Sequence, residues 1–147
     1  MRVLVDTNVL ISILLKPSEG GPVRALFHAF VAGRYTLLLP EWLIDELTNS
    51  VQTNPRLAKR ISITQLNRFT ALLREAAEQI AEIETPIPVV SRDLDDDYVL
   101  AYALVGNADY LVTGDKDLLA LEGLIAGLEI VTPAQFVEIL GRHELRQ

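Results

Sequence analysis

Four groups of acidic residues stand at intervals along this 147-residue chain: Asp6; Asp45 with Glu46; Asp93, Asp95, Asp96 and Asp97; and Asp115 with Asp117. Cysteine is absent, and the two histidines, His28 and His143, lie away from all four groups. The chemistry open to such a set is narrow. Two unit charges 4 Å apart repel by about 4 kcal/mol at an effective dielectric near 20. Carboxylates gathered in one pocket therefore need either protonation or a divalent cation. Hard oxygen donors, with no thiolate and no histidine pair beside them, select Mg²⁺ or Mn²⁺ over zinc. One or two such ions activate a water and stabilise an in-line displacement at phosphorus. Acid–base catalysis without a metal usually wants a paired acid and base, often histidines. His28 falls in a predicted helix and His143 near the chain end, and both read as surface residues.

The groups matter only if the fold brings them together. Arg2 to Asp6 is a short apolar run of the buried parallel-strand kind, followed by helical character from Asn8 to Leu15. Ser18 to Gly21 is a loop; Pro22 opens a helix through Val31, which Gly33 ends. Tyr35 to Leu39 reads as a second strand. Pro40 opens a helix with Trp42, Leu43, Leu47 and Val51, broken at Asn54-Pro55. Leu66, Phe69, Leu72, Leu73, Ile80 and Ile83 share one side of a long amphipathic helix predicted over 64–83. Ile87 to Val90 is a third strand, Asp96 to Val105 a helix closed by Gly106-Asn107, and Tyr110 to Thr113 a fourth strand. A short helix from Lys116 to Leu121, a fifth strand from Glu129 to Thr132 and a helix starting at Pro133 complete the chain. Alternation of this kind predicts an α/β fold, a three-layer α/β/α sandwich around a parallel sheet of four to five strands. Ligands in such sheets bind outside the carboxyl ends of the strands.

All four acidic groups fall on that edge. Asp6 ends the first strand and Asp115 follows the fourth. Asp96 shares a helix face with Val99, Leu100 and Ala103, so it turns inward; Asp97 shares its face with Ala101 and Leu104. Glu46 borders the Leu43–Leu47 stripe, with Asp45 as the alternative. A purely structural account is available for several of them. Aspartate caps helices and favours their first turn, which would cover the run 95–97 and Asp115 with Asp117, and a lone Glu46 would be a solvated helix residue. Asp6 resists that account, because it sits between two apolar runs where an unpaired charge is expensive.

Half of the residues are hydrophobic, enough for a substantial core. A chain of this length buries about 70% of its unfolded surface. We expect one domain over residues 1–141 and a polar C-terminal tail over 142–147. No repeat, low-complexity run or membrane-spanning stretch occurs, and the run from Val3 to Leu15, interrupted by Asp6 and Asn8, does not read as a signal sequence. The expectation is a cytoplasmic protein, with which the absence of cysteine agrees. A net charge of −7 argues against a histone-like nucleic-acid coat, but not against an enzyme whose acids hold cations. Charge is nonetheless uneven: from Val51 to Arg74 there is no acid, yet Arg56, Lys59, Arg60, Arg68 and Arg74 occur. That stretch reads either as a solvated helical face or as a patch that tracks phosphates and gains affinity by counterion release.

The motifs also carry a resemblance. Met1-Arg-Val-Leu-Val-Asp-Thr-Asn-Val-Leu-Ile11 resembles the opening motif of PIN-domain ribonucleases, Asp45-Glu-Leu47 their second acidic motif, Asp96-Asp-Tyr-Val-Leu-Ala-Tyr-Ala103 the third, and Leu111-Val-Thr-Gly-Asp-Lys-Asp-Leu-Leu119 the fourth. Their order and spacing match across almost the whole chain. The resemblance implies a Mg²⁺- or Mn²⁺-dependent endoribonuclease with Asp6, Glu46, Asp96 and Asp115 as catalytic and metal-binding acids, leaving a 5′-phosphate and a 3′-hydroxyl. Thr7, Asn8 and Asp117 match polar or acidic neighbours in an auxiliary role, and Asp97 is a further candidate because the 95–97 run departs from the single acid of simpler members. Many bacterial and archaeal members are VapC-like toxins of type II toxin–antitoxin pairs, so the resemblance further implies a homodimer and a cognate antitoxin lying over the site. Two alternatives compete with this reading. A Mg²⁺-dependent phosphatase or phosphoacceptor domain would need an acid where Asn8 stands, or a lysine after the fifth strand, and neither is present. A non-catalytic PIN-like interaction module would be favoured by loss of an acidic motif, and none is lost.

Overall fold

Five parallel strands run side by side in the order β3-β2-β1-β4-β5 in the computed structural model, which describes residues 1–15, 20–84 and 94–145. They are β1 (Arg2–Val5), β2 (Thr36–Pro40), β3 (Glu78–Ile80), β4 (Tyr110–Val112) and β5 (Glu129–Val131). The helices are α1 (Thr7–Leu15), α2 (Pro22–Val31), α3 (Glu41–Thr53), α4 (Pro55–Arg60), α5 (Ile63–Ala76), α6 (Leu94–Val105), α7 (Lys116–Leu119) and α8 (Pro133–Leu145). The central strands are apolar from Val3 to Val5 in β1 and throughout β4 because helices cover both faces of the sheet. Successive residues of β2 show the two faces. Leu37, with Val5, adjoins Leu10, Leu26, Phe27 and Leu73 of α1, α2 and α5. Leu38 points the other way, toward the end of α6 at Gly106.

Several local signals act as expected. Asn54 caps α4, its side chain accepting from Arg56 N at 3.0 Å. Ser62 and Gln65 form a reciprocal capping box on α5. Asn107 adopts a left-handed φ of 53° just after α6, where asparagine is one of the few residues that ends a helix cheaply. At Gly106 an added Cβ would lie 2.9 Å from Leu38 Cδ1 and 3.2 Å from Tyr102 O, so a larger residue would make Leu38 and the end of α6 shift apart.

Two expectations need correction. The helix predicted over 64–83 stops at Ala76, and residues 78–80 form the edge strand β3, pairing with Leu38 to Pro40 of β2. Ile80 and Ile83 continue the helical spacing of the earlier apolar residues, but Ala77 turns to extended geometry and the open edge of β2 takes up the backbone groups of Glu78 to Ile80. A short, half-exposed edge strand reading Glu-Gln-Ile carries no apolar alternation to reveal it. The segment expected as a polar tail from Arg142 is instead helical as far as Leu145, in continuation of α8. The strand expected at Ile87 to Val90 lies outside the described residues. No helix among the described residues is long and apolar enough to cross a membrane.

Candidate active site at the carboxyl edge of the sheet

The strand order changes direction between β1 and β4, since β2 lies to one side of β1 and β4 to the other. At such a switch point the loops diverge and leave a crevice outside the carboxyl ends. The crevice here is a cleft of about 210 Å³ lined by Asp6, Thr7, Asn8, Trp42, Glu46, Ser50, Asp96, Val99 and Asp115. Each of the four acids carried by the sequence motifs reaches it.

Asp6 follows β1 directly. Its backbone N–H still bonds to Val112 O at 2.9 Å, and its carbonyl accepts from Val9 and Leu10 N as α1 begins. The side chain is 7% exposed, held among the strand ends. Thr113, fully buried at the end of β4, donates its hydroxyl to Asp6 Oδ2 at 2.7 Å and accepts from Asp115 N at 3.0 Å. One hydroxyl therefore sets the position of both acids. Asp115 in turn caps α7, its Oδ1 accepting from Asp117 N at 2.8 Å and Leu118 N at 3.4 Å. The capping account and the site account of Asp115 are thus compatible: one oxygen closes the helix while the residue faces the cleft.

From the opposite wall, α3 presents Trp42, Glu46 and Ser50 at spacings of four residues, which align along one helix face. Asp45, the alternative acid, is exposed, while Glu46 is half-buried in the cleft. Asp96 enters from the first turn of α6 and is 7% exposed. Asp97 is buried more deeply, at 2%, but is not among the residues that line the cleft.

Carboxylate oxygens of Asp96, Asp115 and Asp117 lie within 4.8 Å of one another. Oxygens about 2.1 Å from a Mg²⁺ ion are about 3.0 Å apart when adjacent and about 4.2 Å apart when opposite. The three carboxylates come close enough to share such an ion once exposed Asp117 adjusts, or through an intervening water. The all-oxygen donor set and its spacing therefore fit a hard divalent ion. Asp117, which the motifs place only in an auxiliary role, joins this cluster. Thr113, Trp42 and Ser50 are site residues that sequence reasoning gave no role. Thr113 was detectable as a polar residue at the end of a buried strand next to Asp6, and Ser50 by its spacing from Glu46.

The basic stretch is divided. Arg56, Lys59 and Arg60 are exposed on α4, which continues from the end of α3, and Arg68 is exposed on α5. Arg74 pairs with Glu41 at 2.7 Å. His28 and His143 are both exposed.

Fold and cleft together define an α/β domain with a carboxylate-lined site at its switch point. The family model of the PIN domain matches residues 2–117, and the chain belongs to the PIN-domain family, a family of nucleases. Among solved structures, the chain is similar to one in the crystal structure of VapBC2 from Rickettsia felis bound to a DNA fragment from their promoter. The likeness covers 90% of this chain and 98% of that one, with a TM-score of 0.59 and 15% identity, which speaks to the fold. No curated protein matches the sequence.

Proposed function

We propose that this protein is a divalent-metal-dependent endoribonuclease and the toxin of a toxin–antitoxin pair. The observation that carries the reading is the meeting of Asp6, Glu46, Asp96 and Asp115, from four separate segments, in one small cleft. Asp6, Asp96 and Asp115, with Asp117 beside them, would hold Mg²⁺ or Mn²⁺, directly or through water. The bound ion would supply charge neutralisation and a water of lowered pKa. Glu46, on the wall facing Asp115, either completes the ligand set or orients the attacking water. Thr113 acts through Asp6 and Asp115 as a positioning residue. Thr7 and Asn8, at the start of α1, offer polar groups to a ligand or water.

RNA would approach along α3 and α4. Exposed Arg56, Lys59, Arg60 and Arg68 would meet backbone phosphates beyond the cleft, and Arg74, tied to Glu41, would be the weakest member of that set. A cognate antitoxin, a homodimer and a cytoplasmic location belong to the same proposal; they rest on the resemblance to VapC-like toxins.

The test is cleavage of structured and unstructured RNA by wild type, with Mg²⁺ and with EDTA, beside Asp6→Asn. Cleavage lost under both treatments is expected. Activity that survives both would end the proposal, and a wild type that neither cuts RNA nor shifts its melting temperature with Mg²⁺ would favour a non-catalytic interaction module.

A further inference from the structure

Among the residues that line this largely polar cleft, Trp42, in the first turn of α3, is the aromatic one, with Val99 as the other apolar member. It is half-buried, not sealed in the core. Tyr98 and Tyr102, one turn apart on α6, stack near-parallel to it, with ring centroids at 5.4 and 5.9 Å and interplanar angles of 24° and 22°. Tyr102 is 2% exposed, and its hydroxyl accepts from Ile83 N at 3.2 Å, so that ring is held in place. A core aromatic would need no such place among carboxylates. Trp42 also precedes Glu46 by one helical turn, about 6 Å along the axis. A spacing of that order separates a phosphate from the base of its own nucleotide.

On the nuclease reading above, we infer that Trp42 is a nucleobase subsite: a base beside the scissile phosphate stacks on the indole while that phosphate lies at the acids. A base inside a duplex has both faces covered by its neighbours, so only an unstacked nucleotide can present a face to the ring. Such a subsite therefore takes only a nucleotide that is unstacked beside the scissile phosphate. Ser50, one turn beyond Glu46, offers a hydroxyl to the next phosphate on the way to Arg56.

Trp42 is the protein's only tryptophan, so its fluorescence reports the subsite directly. Wild type in Ca²⁺, to slow hydrolysis, is titrated with an unstructured RNA oligomer, with the same oligomer made abasic, and with its duplex. Quenching by the first and not by the other two is expected. In Mg²⁺, Trp42→Ala should lower kcat/KM on single-stranded RNA by roughly 5- to 100-fold, mainly through KM. Trp42→Phe, which keeps a stacking face, should recover much of that loss, and the Mg²⁺-induced melting shift should be preserved in both. The subsite is refuted, with the nuclease reading intact, if wild type cleaves RNA but single strands leave the fluorescence unchanged, if Trp42→Ala cleaves as well as wild type, or if duplex is cut as fast as single strand. An absence of any metal-dependent cleavage by wild type would remove both.

Discussion

The two edges of the sheet handle charge in opposite ways. At the amino edge, acids meet donors. Arg2 forms a two-pronged contact with Glu78 and gives Nε to Gly106 O at 2.9 Å, while its backbone N–H donates to Asp109 at 2.8 Å. Arg34 meets Glu144 at 2.7 Å on the same side. At the carboxyl edge, Asp96, Asp115 and Asp117 face one another within 4.8 Å, with Asp6 and Glu46 lining the same cleft. The first arrangement holds β1, β3 and the end of α6 in register. The second gathers negative charge in a small space, which on the nuclease reading a cation would neutralise. On that reading, stability and function are drawn from opposite ends of the same strands.

The sharpest way to break this contrast is to neutralise one acid. Asp96→Asn should lower RNA cleavage by roughly 10³-fold, the order expected when several kcal/mol of ion-based stabilisation is lost. It should also flatten the Mg²⁺-dependent melting shift, which in wild type would correspond to about 2.7 kcal/mol at a hundredfold excess over Kd. Calorimetry with and without Mg²⁺ reads that shift. An Asp96→Asn shift equal to that of wild type would remove Asp96 from the ligand set. Next in size is Thr113→Val, which removes the donor to Asp6 and the acceptor of Asp115 N–H. A loss of about 1–3 kcal/mol in urea unfolding is expected, with weakened Mg²⁺ binding. Unchanged Mg²⁺ affinity would show that Thr113 serves the fold alone.

The amino edge should respond differently. Gly106→Ala forces a methyl group against Leu38 and Tyr102 O and should cost about 1–3 kcal/mol. Its Mg²⁺-induced melting shift should equal that of wild type. Glu78→Gln should have the smallest effect, and a pH-dependent one. The hydrogen bond from Arg2 holds the Glu78 carboxyl below its ordinary value of 4.5. A carboxyl whose pKa is depressed by folding adds stability that is present above its unfolded value and fades as pH falls through the folded one. The melting difference between wild type and Glu78→Gln should therefore be visible near neutrality and vanish in acid. A difference that persists in acid would assign it to packing.

Much of the carboxyl edge was legible because strands have direction. Once β1 and β4 are read as parallel and apolar, Asp6 and Asp115 can only emerge at the same end; helical periodicity then turns Asp96 inward and sets Glu46 beside an apolar stripe, but it left Asp45 open, which the structure shows exposed while Glu46 lines the cleft. The amino edge was much less legible. Arg2, Glu78 and Gly106 are brought together only by the close approach of α6, and β3 is an edge strand without a pattern of its own. Trp42 was readable as an apolar helix residue, but whether it faced core or cleft depended on where α6 placed Tyr98 and Tyr102. Periodicity reports which side of an element is apolar; it does not report what stands opposite.

Phe136 of α8 is fully buried against Tyr35, edge-to-face at 5.2 Å, and against Tyr110 at 5.6 Å, while β5 covers the outer flank of β4. Both lie beyond Asp117, where the family match ends. A fragment truncated there would keep every acid of the cleft yet bare an aromatic face and leave β4 as a naked border. Losing a buried phenylalanine alone costs about 3–5 kcal/mol, a large share of the roughly 5–15 kcal/mol that holds a domain folded. The C-terminal thirty residues supply none of the cleft's acids and form its buttress.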